Sequence, residues 1–128
     1  MSYYITAGTH LSFEEAIERV TEELKKEGFG VITTIDVKNT LKQKIDVDFR
    51  KYTILGACNP RFAHQALSMD DKVGTLLPCN VIVQETDSGT EISAINPTES
   101  MKGILSDELV EFAGQITSRL ESVISTFE

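Results

Sequence analysis

With 128 residues, 41% of them hydrophobic, the chain has the length of one ordinary domain and enough apolar side chain for a single core. Twenty acidic against twelve basic residues give a net charge of −8 and a pI near 4.7, which argues against a general affinity for phosphate backbones or anionic lipid. No run approaches the roughly 18 apolar residues of a membrane span and no secretory signal opens the chain, so one cytoplasmic domain, residues 1–128, is expected, with neither membrane nor nucleic acid as partner.

Tyr3 to Thr6 are aromatic or β-branched and predict an opening strand. Ser12 and Glu15 then form an S-x-x-E capping box, in which hydroxyl and carboxylate satisfy N–H groups that the first helical turn leaves free. Phe13, Ala16, Ile17, Val20 and Leu24 recur at helical spacing behind it, and Gly28 supplies the stop. Gly30 to Ile35 is a β-branched run and predicts a second strand. Asp36 is placed to cap a short helix with Val37, Leu41 and Ile45 on one side.

A third strand runs from Tyr52 through Gly56 and Ala57 to Cys58, its small residues predicting close approach by a neighbour. Asn59 and Pro60 have the form of an N-cap and first-turn proline, opening a helix through Phe62, Ala63, Ala66 and Leu67. Leu76 and Leu77 lead into Val81 to Val83, and Asp87-Ser88-Gly89 separates that arm from Ile92 to Ile95, which predicts a hairpin closed by Pro97. Pro78 predicts that the first arm begins after it, or lies at an edge or bulge. Ser106 opens a long closing helix with a stripe from Leu109 to Phe127. Two one-sided helices need apolar surface to cover, so the expected fold is α+β: a largely antiparallel sheet of about five strands with both main helices on one face.

No phosphate loop, dinucleotide fingerprint, H-E-x-x-H or G-x-S-x-G is present. The adjacent acids Glu14–Glu15 and Asp70–Asp71 point in different directions on a helix and form no catalytic pair. Lys38, Lys42, Lys44, Arg50 and Lys51 make one basic stretch, read either as a solvated face or as a site for an anionic small ligand or an acidic subunit surface. What remains is a doubled constellation, Gly56-Ala57-Cys58-Asn59-Pro60 and Leu77-Pro78-Cys79-Asn80.

Both Cys-Asn pairs fall at element boundaries, and three readings stay open. In the first, the thiols fill small apolar spaces in the core. In the second, Cys58, His64 and Cys79 converge on a soft metal such as zinc or copper(I). In the third, the helix starting near Pro60 activates a thiol, Cys58 being the better placed. A structural disulfide is not expected from two cysteines in a reducing compartment.

At these residues the chain resembles the bacterial and archaeal family catalogued as domain of unknown function 302. The match lies in Tyr52 to Pro60, Ala63 and Leu77 to Val81, with Phe13-Glu14-Glu15-Ala16 and Gly28-Phe29-Gly30-Val31 in the usual earlier places. The resemblance implies a curved sheet in a TATA-binding-protein-like β-α-β-β-β-β-α order with short helices in the connections, and a homodimer. It carries no catalytic residues across, and fold alone does not transfer DNA binding. The expected function is a homodimeric small-ligand-binding module with Cys58, Asn59, Cys79 and Asn80 around the site. A thiol-dependent enzyme or soft-metal-handling protein is the alternative, and a structural interaction domain the third reading.

Overall fold

In the computed structural model, which describes residues 2–127, β1 (Tyr4–Thr9) leads to α1 (Phe13–Lys26), β2 (Gly30–Asp36), α2 (Val37–Ile45), β3 (Tyr52–Cys58) and α3 (Pro60–Met69). A 3-10 segment, Asp71–Leu76, then leads to β4 (Cys79–Thr86), β5 (Gly89–Ile95), the single-turn α4 (Pro97–Ser100) and α5 (Asp107–Ser125). The capping box forms as written. Ser12 Oγ accepts from Glu15 N at 3.2 Å, and Glu15 Oε1 accepts from Ser12 N at 3.3 Å. At the other end Gly28 takes φ +87° and Phe29 N–H returns to the Leu24 carbonyl at 2.9 Å, a closure that favours glycine.

The five strands form one sheet in the order β1-β5-β4-β3-β2, with every neighbouring pair antiparallel. Because β1 and β2 lie at opposite edges, α1 crosses the sheet between them. The register sets apolar residues side by side: Ile5 meets Ala94, Ala94 meets Val81, and Val81 meets Leu55. Strand alternation puts this row on one face. That face packs against Ala16, Val20 and Leu24 of α1 and Leu120, Val123 and Ile124 of α5. Full burial of each large side chain contributes about 1.5–3 kcal/mol, so this single layer holds most of the apolar stabilisation. Both main helices therefore share a face, as their one-sided stripes predict.

A smaller cluster of Ala66, Val73 and Leu109, with Phe112 against it, fastens α3 and the 3-10 segment to α5. A buried polar network at the end of β5 does similar work. Thr117 Oγ1 donates to Asn96 Oδ1 at 3.3 Å and accepts from Thr98 N at 3.2 Å, fixing α5 to the chain leaving the sheet. Among the described residues no helix is long and apolar enough to cross a membrane.

The structure sharpens three local readings. The stripe Val37, Leu41 and Ile45 buries nothing fully and Ile45 is 63% exposed, because α2 lies in the β2–β3 connection outside the two-helix layer. Leu76 ends the 3-10 segment and Leu77 lies in the connection after it, so neither is in the strand; β4 begins at Cys79, after Pro78, whose missing N–H suits a position before the ladder. Pro97 closes β5 but also opens α4, since proline fits the first turn of a helix.

The close approach predicted at Gly56 is present. A Cβ there would overlap Thr33 Oγ1 and lie 2.8 Å from Pro78 Cγ. Gly56→Ala should destabilise the protein by about 1–3 kcal/mol, and adding Thr33→Ala, at an exposed position, should recover part of the loss. Urea unfolding of the three proteins checks this; a Gly56→Ala curve that overlays the wild type would show that the contact imposes no constraint.

Candidate functional site

Where the ends of β3 and β4 and the β2 edge meet α3 and α5, the structure holds a cavity of about 210 Å³. Its walls include Cys58, Cys79, Phe62, Ala63, Leu77 and Ile116. Cys79 is the first residue of β4 and pairs across the ladder with Ala57. Cys58 is the last residue of β3 and directly precedes Asn59, the N-cap of α3. Cys58 and Cys79 therefore both line this cavity, one from the end of β3 and the other from the start of β4. Both are free; Cys79 is buried and Cys58 half-buried.

Burial pushes the Cys79 thiol up from its ordinary 9.0 to about 11, with the neighbouring Cys58 adding to the rise. The thiolate is disfavoured because apolar walls cannot replace its hydration. Cys79 accordingly keeps its proton at neutral pH and presents a weakly polar S–H to the cavity.

Asn59 also lines the cavity, but its amide is committed elsewhere. Its Oδ1 accepts from Phe62 N at 3.4 Å and its Nδ2 donates to the Glu27 carbonyl at 3.5 Å, tying the start of α3 to the end of α1. Arg119 donates to the same carbonyl at 3.2 Å while its guanidinium stacks on Phe62, 5.2 Å from the ring centroid. The Asn59 amide is thus a clamp on the walls rather than a group facing a ligand.

Two expected members of the site lie outside the cavity. Asn80 is exposed and lines a different depression, on the sheet face that no helix covers, because the residue after Cys79 must point to the opposite side of the strand. His64 is exposed on α3: Ala63 and Ala66 are the residues turned to the cavity, and the next position is rotated by about 100°. The Cys58–His64–Cys79 ligand set is therefore not assembled, and among the described residues no three His, Cys, Asp or Glu side chains gather closely enough to hold a metal.

The walls that motif reading passes over are apolar. Phe62 and Ile116 belong to helix stripes that do not distinguish core from cavity, and Phe29 is placed by the turn at Gly28. Ile32, 62% exposed at the cavity lip, is the extra residue of a β2 bulge, where the register jumps between Val31 and Thr33. A bulge has no composition signal strong enough to read in a single β-branched run.

The whole defines an α+β domain with one antiparallel sheet, helices layered on one face, and a thiol-lined apolar cavity at the sheet's end. The family described as Domain of unknown function DUF302 matches residues 5–127, and the chain belongs to it. It is similar over its whole length to an uncharacterized conserved DUF302 protein from Bacillus stearothermophilus, whose crystal structure it matches with a TM-score of 0.93 at 32% identity, covering 100% of both chains. No curated protein matches.

The raised Cys79 value has a stability consequence. Below about pH 9 folded and unfolded chains both hold the proton, so the contribution is complete; from there to about 11 only the unfolded chain releases it. Stability should therefore fall as pH rises through this window, by on the order of 2 kcal/mol. Chemical denaturation of wild type and Cys79→Ala across pH 8–11 isolates this contribution; equal slopes would show that the thiol titrates normally.

Proposed function

We propose that the protein is a small-ligand-binding module whose site is the Cys58–Cys79 cavity, and that its ligand is small, compact and largely apolar. The observation that carries this reading is a cavity of about 210 Å³ with nearly unbroken apolar walls. An apolar void of about 150 Å³ accepts benzene, so this volume suits a single substituted ring or a short branched chain. Thiol S–H groups are weak donors and acceptors, and they suit a ligand carrying one soft or weakly polar group. The soft-metal reading has less support, since His64 is exposed on α3 and does not line the cavity.

Benzene is a suitable first probe. At ten times its dissociation constant a ligand bound only by the folded state adds about 1.4 kcal/mol, so the unfolding midpoint of the wild type should rise with benzene concentration. Ala63→Leu, which grows a side chain from the cavity wall, should fold but lose the rise. No benzene effect on the wild type, or an equal effect on both proteins, would contradict the reading.

We also propose that the module works in the cytosol as a homodimer. Support comes from β2, an edge strand, and from α2 and the turn after it, where Ile35, Ile45 and Val47 respectively are exposed. Exposed apolar side chains on and near an unpaired edge favour a covering partner. Sedimentation equilibrium at micromolar concentration should give twice the chain mass, and Ile35→Lys with Ile45→Lys should give the single mass. A wild-type protein that sediments as a monomer would contradict the proposal.

A further inference from the structure

The sheet face that no helix covers carries its own depression, of about 480 Å³, inside the range of roughly 300–1,000 Å³ usual for small-molecule sites. The ladder orders its contents. Glu91, Gln84 and Tyr52 stand side by side on β5, β4 and β3. The next row inward on this face is Thr6, Ser93 and Ile82, and Tyr4 opposite Ile95 closes the far end. One end is therefore charged, the floor is small and neutral, and the other end is aromatic.

The charged end is linked by side-chain hydrogen bonds. Arg50 Nε donates to Gln84 Oε1 at 2.9 Å, and Gln84 Nε2 donates to Glu91 Oε1 at 3.1 Å. The Arg50 guanidinium also lies over Phe49, 4.4 Å from the ring centroid, and is 5.8 Å from that of Tyr52. Its Nε is thereby used while its terminal nitrogens keep the fork that binds a carboxylate in two-point fashion. Among the described residues neither Arg50 nor Glu91 has an oppositely charged side chain within ion-pair distance. A base and an acid are thus kept apart by one amide, each without a counter-charge.

We infer that this depression binds a free α-amino acid with an aromatic side chain, its carboxylate on Arg50, its ammonium on Glu91 and its ring over Ile82 toward Tyr4. Two hydrogen bonds across a single amide keep Arg50 Nε within at most about 8 Å of Glu91 Oε1, a reach that an amino acid's ammonium and carboxylate can span when each makes a contact of about 2.8 Å. A zwitterion also has no net charge, so the −8 of the chain does not repel it as it would a simple anion. The aromatic end favours a ring over an alkyl chain, since Tyr4 and Tyr3 stand edge to face with centroids 5.0 Å apart and offer both a ring face and a ring edge.

Titration of isotope-labelled protein with L-phenylalanine, followed through the Arg50 Nε–H and Gln84 side-chain amide resonances, tests the assignment. Both signals should shift and saturate, whereas 3-phenylpropionate, without the ammonium, and phenethylamine, without the carboxylate, should each bind at least tenfold more weakly. Arg50→Ala should abolish phenylalanine binding. Glu91→Gln should weaken phenylalanine but leave 3-phenylpropionate unchanged, a split that simple loss of structure does not produce. Absence of shifts at millimolar phenylalanine, unchanged affinity in Arg50→Ala, or concentration-dependent shielding of these groups by a second copy of the chain would each overturn it.

Discussion

One-sided burial governs this molecule. The sheet has a single face of aligned small and branched residues, with Val81 and Leu55 at its centre, and α1 and α5 lie together on it. Everything else is placed by that layer. α1 crosses from the β1 edge to the β2 edge above it, and the Asn96–Thr98–Thr117 network aims α5 back along it. α3 and the 3-10 segment pack against the flank of α5 through Ala66, Val73 and Leu109. The thiol-lined cavity lies at the seam where this second cluster meets the first.

Hydrogen bonds at the same seam tie the elements that form the cavity walls. Asn59 joins the start of α3 to the end of α1, and Arg119 joins α5 to the same carbonyl. The three helices converging there are linked through one backbone oxygen, that of Glu27. Hydrogen bonds to a shared acceptor constrain relative helix position more than they add net stability, because each replaces a bond to water. The opposite face of the sheet has no such cover, and its polar groups are held instead by neighbours along the ladder.

Local structure was legible in the sequence wherever a side chain satisfies its own backbone. Ser12 with Glu15, Asp36, Asn59 and Ser106 all act as the caps their chemistry predicts, and Asp87-Ser88 makes the hairpin turn with Gly89 opening β5. The two-helices-on-one-face layout was legible because each stripe is too narrow for all-round burial. Strand order was not, since it depends on which apolar rows meet. That gap limited the site reading. Cys58, Asn59 and Cys79 do meet, whereas Asn80 faces away by strand alternation and His64 by helix rotation, two geometric facts that spacing along the chain conceals. The basic stretch splits likewise: Lys42 pairs with Asp46 and Asp48 in solvent, while Arg50 alone turns to the uncovered sheet face.

The claim that the thiol-lined seam receives an apolar ligand is tested most directly by a crystal structure of the protein grown or soaked with benzene. The expected result is ring density between Phe62, Ile116 and Cys79, with the Asn59 clamp undisturbed. Ordered water hydrogen-bonded throughout that space, or benzene bound elsewhere with the seam closed, would contradict it.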